Sequence, residues 1–486
     1  MKKVVNLLYF IFLILFCHLT RNSNMFLLTV SFSTALIFFA FFSTVNISGI
    51  LDKYKDDNNA YIRDRIFKFT IILITIIFLI LTVIAYFLGI IINMDGLCLI
   101  NVFMSLSVYS NVIIKLVGEY LEIIGYRKVG ANLSYFFHII NILFLTIVSI
   151  LLFKVFGLPN YINIIILYGI SLIIFILILF VLWFLIFRKL IKSKKSIQRI
   201  NYVKIIKKII ITNNKIVMFN IVKYAYVYIS IILLYYTLIN KYNYSYDDVG
   251  MVITNTYFYG IIIINYIYLI VRKYLNSYIN NVQKKINRSD NTVNGDINNL
   301  IIRVIKLSLP LCILLFVISG PLSKILLFID YNVFFNLILF LFFYILYNII
   351  FNIGIYNIID NKFLLALISG LVLKIILEIP LINAIYRMGY TIIFGSILAN
   401  VIGIGISIII IYIFIKNKFK LQFLDNFNKL LNIIYENIIF CLLLVLFTLI
   451  VDIETKGILD SILVIIFYIF ITTLFYMLNK KIRNKS

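Results

Sequence analysis

The sequence predicts an all-α integral membrane protein of about fourteen transmembrane helices. They form two six-helix lobes related by a pseudo-twofold axis along the membrane normal, with two further helices at the C-terminal end. Three observations carry this expectation. Of 486 residues, 63% are apolar and only 13% charged, more hydrocarbon than any water-soluble core can use. A window of about 20 residues finds fourteen apolar segments, each long enough to cross the hydrocarbon layer. The cationic residues then alternate from side to side: with the N-terminus inside, 35 Lys and Arg fall in inner segments, 5 in outer loops and 4 within spans. Such a split requires an even number of spans with both termini on the cytoplasmic side.

The segments fall near 4–20, 25–48, 69–92, 97–118, 131–153, 161–187 and 216–239, then 250–271, 304–329, 333–357, 363–386, 390–415, 431–451 and 457–479. The first, "MKKVVNLLYFIFLILFCHLTRN", has the basic start and apolar run of a signal peptide. It lacks a small-x-small cleavage site and a second span follows at once, so it reads as a retained helix. Between spans six and seven lies the longest basic stretch, "RKLIKSKKSIQRINYVKIIKKIIITNNK" (188–215), with ten Lys and Arg. Ile197, Ile200, Val203, Ile206 and Ile210 recur there at helical spacing. It is either an amphipathic helix lying on the inner membrane surface or a solvated basic loop. Its place divides the chain into an N-lobe (1–187), a linker (188–215), a C-lobe (216–416) and a C-terminal part (417–486) holding the last two spans and a basic tail. The loop "NRSDNTVNGDINN" (287–299) is polar and reads as mobile. The net charge of +25 reflects this topology and attraction to anionic inner-leaflet lipid, not nucleic-acid binding. Cys17, Cys98, Cys312 and Cys441 are scattered and the only His are His18 and His138, so neither a disulfide framework nor a metal site is expected.

A polar knot, "GEYLEIIGYRKVGANLSYFF" (118–137), interrupts the hydrocarbon after span four. After span ten, "NIGIYNIIDNKFLLALISG" (352–370) repeats it in worn form. At an offset of 236, Ile113 and Ile114 match Ile349 and Ile350, Gly118 matches Gly354, and Tyr120 matches Tyr356; after a two-residue slip Lys128 matches Lys362. With six spans on each side, this reads as a parallel internal repeat. The tight turn and following span, "GEYLEIIGYRKVGANLSYFFHIINILFLTIVSILLFKVFGLP" and "IDNKFLLALISGLVLKIILEIPLINAIYRMGYTIIFGSILANVIGIGISIIIIYIFIKNK", resemble the multidrug/oligosaccharidyl-lipid/polysaccharide exporter superfamily. Within it they are most similar to the polysaccharide-biosynthesis branch of O-antigen flippases, stage V sporulation protein B and lipid II flippases. The resemblance implies a V-shaped pair of lobes alternating between inward- and outward-open states in a bacterial cytoplasmic membrane. The implied substrate is a polyprenyl-linked glycan with a pyrophosphate headgroup, and the implied pathway partners are glycosyltransferases or a polymerase. A monomer without cofactor is expected.

A charged side chain at the bilayer centre costs about 3 kcal/mol or more, so each one asks for a partner or a role. Lys223, one turn into span seven, is the candidate for gripping a lipid phosphate, with Asn220, Tyr224, Tyr228 and Tyr235 spaced along one stripe beside it. The alternative is a lysine that snorkels to the interface within an aromatic belt. Asn255 and Tyr259 of span eight, near Tyr266, would add a polar and an aromatic contact for sugar, and Arg21 would face the outer cavity or bind lipid phosphate. Lys374 and Glu378 lie at i, i+4 in mid-span and can neutralise each other, as a structural pair or as a coupling or gating element. His138 in span five reads as a hydrogen-bonded packing residue or a proton relay. Lys115, Glu119 and Glu122 read as interfacial, and Lys324 as snorkelling outward.

The first function expected is therefore a flippase for a lipid-linked oligosaccharide or polysaccharide precursor. The resemblance also implies several cationic residues in spans one, two and eight for lipid II flippases. Spans two and eight carry none, which argues against lipid II specificity within the class. The second candidate is a cation-coupled multidrug antiporter; the interiors of spans one, two, seven and eight hold no carboxylate, which weighs against it. The third is a membrane polymerase or glycosyltransferase. The longest outer loop, "NKYNYSYDDVG", is about eleven residues, and its Asp247–Asp248 pair has no basic or metal-binding company. Enzymatic chemistry is not expected, and Walker motifs are missing.

Overall fold

The structure, a computed structural model, describes residues 2–20, 25–43, 60–92, 96–156, 160–182, 214–287, 293–326, 337–338, 340–350, 361–419, 424–450 and 457–483. Among these residues there are helices and short connections and no strand. We label the helices α1 (Lys2–Thr20), α2 (Phe26–Ser43), α3 (Ala60–Ile92), α4 (Leu97–Ile123), α5 (Arg127–Leu151), α6 (Asn160–Leu182) and α7 (Asn214–Tyr242). Helix α8 starts at Tyr246–Ile253, widens to a π-helix over Thr254–Gly260 and continues as Ile261–Asn287. Helix α9 (Val293–Val317) continues as Ser319–Leu326; α10 covers Phe340–Ile350. The last four are α11 (Asn361–Arg387), α12 (Ile392–Phe419), α13 (Leu424–Ile450) and α14 (Ile458–Arg483).

Among the described residues eleven helices are long and apolar enough to cross a membrane, and three shorter apolar helices stand where spans one, two and ten were expected. Each of the fourteen segments thus coincides with a helix, and the chain is a multi-pass membrane protein. The ends differ from the hydropathy windows for a physical reason. Helical hydrogen bonding does not stop where hydrocarbon stops, so α3 begins at Ala60, through Arg63, Asp64, Arg65 and Lys68, and not at 69. The polar stretch 287–299, expected to be loop, is helical from Val293 onward. The outer loop expected over 240–250 shrinks to 243–245, because Ser245 caps α8: its Oγ accepts from the Asp248 amide at 3.2 Å and donates to Asp248 Oδ2 at 2.6 Å. The acidic pair there is a helix start.

Polar residues inside the spans are satisfied locally. Thr29, Ser33 and Thr34 of α2 each donate to the carbonyl four residues back, at 2.9–3.0 Å, which lets hydroxyls reside where no water can serve them.

The chain divides into two compact units, Met1–Tyr228 and Ile229–Ser486, the division falling within α7. The expected linker falls at 188–215, and residues 188–213 lie outside the described residues, as do Arg21, Gly354 and Tyr356. In the first unit α4 is the hub, packed on α2, α3, α5 and α6. Its core joins Ile66, Phe67, Ile74 and Phe78 of α3 to Ile113, Leu116 and Tyr120 of α4 and Phe137 of α5. A ladder of uncharged polar contacts runs up the α3–α4 seam: Thr75 to Tyr109 at 2.7 Å, Thr82 to Ser105 at 3.0 Å, and Asn101 Nδ2 to the Ala85 carbonyl at 3.0 Å. In the second unit α11 and α12 pack along their length, α9 packs on α13, and the Ser319–Leu326 extension packs on α14.

The polar knot is a turn made by glycine. Gly125 has φ of +101°, the Tyr126 amide reaches back to the Leu121 carbonyl at 2.9 Å, and the Gly125 amide to Glu122 at 3.4 Å. This hydrogen-bond pair closes a helix end only when the residue after it adopts a left-handed conformation. The chain then reverses so tightly that a Cβ on Gly130 would stand 2.4 Å from the Gly118 carbonyl oxygen. Tyr120 stacks on Phe67 at 4.1 Å and donates to Asp64, while Glu119 pairs with Lys115 at 3.8 Å.

Candidate functional site

The expected residues fall in two places, one in each unit, and each is described by itself. In the first unit, α7 turns Asn220, Lys223, Tyr224 and Tyr228 along one stripe, all four half-buried. The Lys223 ammonium lies 5.8 Å from the centre of the Tyr224 ring, an arrangement in which the ring's negative face stabilises the cation. His138 on α5 is half-buried, its ring 5.7 Å from that of Phe137.

In the second unit the geometry is more specific. Lys374 and Glu378 are both fully buried, at 0% exposure. Their Nζ and Oε2 stand 3.1 Å apart on one face of α11. The other carboxylate oxygen, Oε1, accepts from Ser396 Oγ of α12 at 2.6 Å. Ser396 has one hydroxyl proton, so the 2.5 Å contact between its oxygen and Tyr257 OH is donated by the tyrosine. One turn further along α12, Asn400 Nδ2 donates to Ser230 Oγ of α7 at 3.0 Å and to the Ser396 carbonyl at 3.0 Å. Tyr257, Ser230, Ser396 and Asn400 are all buried. A continuous chain of polar groups therefore ties α7, α8, α11 and α12 around one ion pair in mid-span.

Two features of the backbone hold this cluster. Tyr257 stands within the π-helical stretch Thr254–Gly260, where the wider turn closes i to i+5 and no longer stacks i over i+4. That is why Asn255 is half-buried while Tyr259 is buried to 1%, although an α-helical wheel puts them on one face. Opposite, α12 approaches α11 so closely that a Cβ on Gly395 would meet Ile382 Cα at 2.6 Å and Ile382 N at 2.8 Å. Pro380, two residues past Glu378, removes an amide donor from α11. Sequence reasoning found the Lys374–Glu378 pair but missed Tyr257, Ser230, Ser396 and Asn400. The available signal was Ser396 and Asn400 at i, i+4 in the first, mostly apolar turns of α12.

Lys115, half-buried, pairs with Glu119 on α4, and Lys324 near the end of the α9 extension is exposed. Among the described residues no group of three His, Cys, Asp or Glu side chains could hold a metal ion.

Among the described residues the chain is all-helical and multi-pass, with a buried polar seam in each unit. Comparison with solved structures names the fold. Over 99% of both chains it superposes on a lipid II flippase, MurJ, in its inward closed conformation, with a TM-score of 0.64 and 16% identity. It also superposes on an inward-facing multidrug resistance MATE transporter of the MOP superfamily (TM-score 0.54, 12% identity, 86% of this chain and 95% of that one). A third match is the eukaryotic MATE transporter AtDTX14 (TM-score 0.50, 11% identity, 84% and 91%). The chain has the fold of the multidrug/oligosaccharidyl-lipid/polysaccharide exporter superfamily. No family model matches its sequence, and no curated protein does.

Proposed function

We propose that this chain is a flippase that moves a polyprenyl-diphosphate-linked oligosaccharide or polysaccharide precursor across a bacterial cytoplasmic membrane by alternating access, with both termini cytoplasmic. The observation that supports it best is the likeness to MurJ, which runs through 99% of both chains, last two helices included. In this reading the N-lobe (1–187) and the C-lobe (216–416) are the parts that exchange between inward- and outward-open states. Lys223 holds the pyrophosphate as a point charge, and Asn220, Tyr224 and Tyr228 beside it meet the sugar; Asn255, half-buried on α8, is a further candidate contact, whereas Tyr259, buried to 1%, is a packing residue. No covalent step is required; specificity is differential affinity in the two states.

The Lys374–Glu378 pair is then the coupling or gating element. Two opposite charges buried together are stable only while they stay together, because either one alone is an uncompensated charge in hydrocarbon. A cluster that spans α7, α8, α11 and α12 can therefore hold one arrangement of four helices firmly and release it at a single contact. His138, whose ring packs on Phe137, is a packing residue or a proton relay in the same scheme.

The test is translocation in liposomes, read as accessibility of a lipid-linked glycan headgroup to an added enzyme. Lys223→Ala abolishes it while protein level and melting are unchanged; retained transport would remove Lys223 from the site. The MATE likenesses support a second reading, a cation-coupled multidrug antiporter. Under that reading, expression in a sensitised host lowers dye accumulation in a manner abolished by collapsing the ion gradient.

A further inference from the structure

Helices α7 and α11 end in the same kind of turn, on the side that the charge distribution assigns to the exterior. Asn243 and Gly389 take left-handed φ of +53° and +78°. Among the described residues Asn243 is the only one other than glycine to do so, and Asn is among the side chains that tolerate it best. The next amide in each turn, of Tyr244 and of Tyr390, reaches back to a carbonyl of the helix, Leu238 and Ile385, both at 3.2 Å. Each turn therefore fixes the backbone of a tyrosine directly after it, and these two residues are 40% and 64% exposed. The turns are tied together. Tyr242 OH donates to Asn383 Oδ1 at 2.7 Å, and the rings of Tyr242 and Tyr386 lie 4.3 Å apart. Tyr236, Tyr246 and Tyr386, at the same helix ends, are also exposed.

Composition sets this surface apart from the rest of the chain. Five of the fourteen residues 235–248 are Tyr, and Asn240 and Asn243 stand among them. Its charges cancel, Lys241 and Arg387 against Asp247 and Asp248, in a protein whose net charge is +25. We infer that this outer tyrosine surface binds neutral sugar units and receives the glycan of the substrate once the headgroup has crossed. A pyranose has a face of C–H groups and a rim of hydroxyls. Exposed phenol rings offer the first a flat apolar area that costs little side-chain freedom. Amides and phenol hydroxyls give and accept hydrogen bonds at the second, and carboxylates accept them. A surface without excess cation has no pull on phosphate, so the part recognised is the sugar and not the pyrophosphate. Tyrosines at headgroup level also form aromatic belts. A belt is made of rings along the lipid-facing side of spans, whereas Tyr244 and Tyr390 stand past the ends of α7 and α11, rimmed by exposed Asn240, Asp247 and Asp248. This site deepens the flippase reading and rests on it for the source of the glycan and for which side faces out.

The experiment applies full-length protein in nanodiscs to an array of short oligosaccharides, each in a neutral and a phosphorylated version. Retention on neutral members is expected, with no gain from the phosphate. Tyr244→Ala with Tyr390→Ala should weaken binding to the best neutral member at least about tenfold, the loss of ring contacts. Tyr244→Phe with Tyr390→Phe keeps the rings and should stay within about threefold of the parent. Melting should be unchanged in both, because the two side chains are exposed. Tyr86→Ala, at an exposed tyrosine near the outer end of α3, should leave binding as it was. Binding that survives both alanines, an equal loss at Tyr86, or retention of no oligosaccharide at all would overturn the inference and leave an aromatic belt. The two readings fail separately. Translocation that needs Lys223 in a protein that retains no oligosaccharide removes only the outer site. Tyrosine-dependent retention in a protein that moves no glycan headgroup removes the flippase reading and leaves a sugar-binding surface.

Discussion

Helices α5–α6 and α11–α12 hold equivalent places in the two halves of the chain, and they solve the same packing problem in opposite ways. The first pair flanks an apolar groove and carries a neutral bond, Asn141 Nδ2 to Ser171 Oγ at 2.8 Å. The second pair is closed at Gly395 and joined through a carboxylate, Glu378, that an ammonium neutralises. A neutral bond of that type in a membrane interior is worth about 0.6 kcal/mol on average, so the first pair can open at little cost. A buried carboxylate deprived of its partner costs several times more. The difference teaches that one architecture can join one helix pair by a weak neutral contact and the other by a buried charge that fixes their separation.

The sharpest way to break the comparison is to remove the latch. Lys374→Met leaves Glu378 buried and unpaired and should lower stability by about 3–5 kcal/mol, read from unfolding of the detergent-solubilised protein. Lys374→Met with Glu378→Met restores an apolar interior and should recover most of that loss, since replacing both members of a buried pair is close to neutral. Transport then separates the roles. If the double variant melts like the parent yet moves no substrate, the pair gates; if it transports normally, the pair only packs.

A second contrast is between glycines at the two helix pairs. Gly395→Ala forces a methyl group against backbone atoms of α11 at 2.6 Å and 2.8 Å, which should cost about 1–3 kcal/mol as α12 is pushed away. Gly169 on α6 has nothing within 4 Å of where its Cβ would be. Gly169→Ala should therefore stabilise α6 by about 0.5–1 kcal/mol through helix propensity alone. Equal losses at both positions would mean that α5–α6 is as tightly closed as α11–α12.

Much of this was legible in the sequence, and the part that was not has a common cause. Fourteen helices could be read because hydrocarbon length and the placement of Lys and Arg are one-dimensional properties. Lys374 and Glu378 were legible because a four-residue spacing within one helix fixes their relation. Ser230, Tyr257, Ser396 and Asn400 come from three helices, and which of them meet depends on crossing geometry that no single segment encodes. The π-helical turn at Thr254–Gly260 adds a local reason: it changes the angular step per residue, so the α-helical wheel put Asn255 and Tyr259 together and overlooked Tyr257. The groove escaped for the converse reason. Val129, Phe136, Phe144 and Val148 are ordinary lipid-facing residues in composition, and only the placement of α6 makes them a wall.

The smallest expected effect tests the neutral side most directly. Ser171→Ala removes the acceptor of the Asn141 amide, leaving a group that is 9% exposed with one bond fewer, and should cost about 0.6 kcal/mol. Ser396→Ala cuts the other half, where it removes the bond to the carboxylate, worth about 1.5–3 kcal/mol, and also the acceptor of Tyr257, a second loss that Tyr257→Phe, measured alongside, subtracts. The ratio between the two matters more than either value, because both are hydroxyl deletions from a buried helix face and share the same lost volume. A ratio of about three or more follows if charge is confined to the second pair. A ratio near unity would mean that Glu378 does not carry its charge in the folded protein, and the latch would then have to be sought in the closeness of α11 and α12 at Gly395.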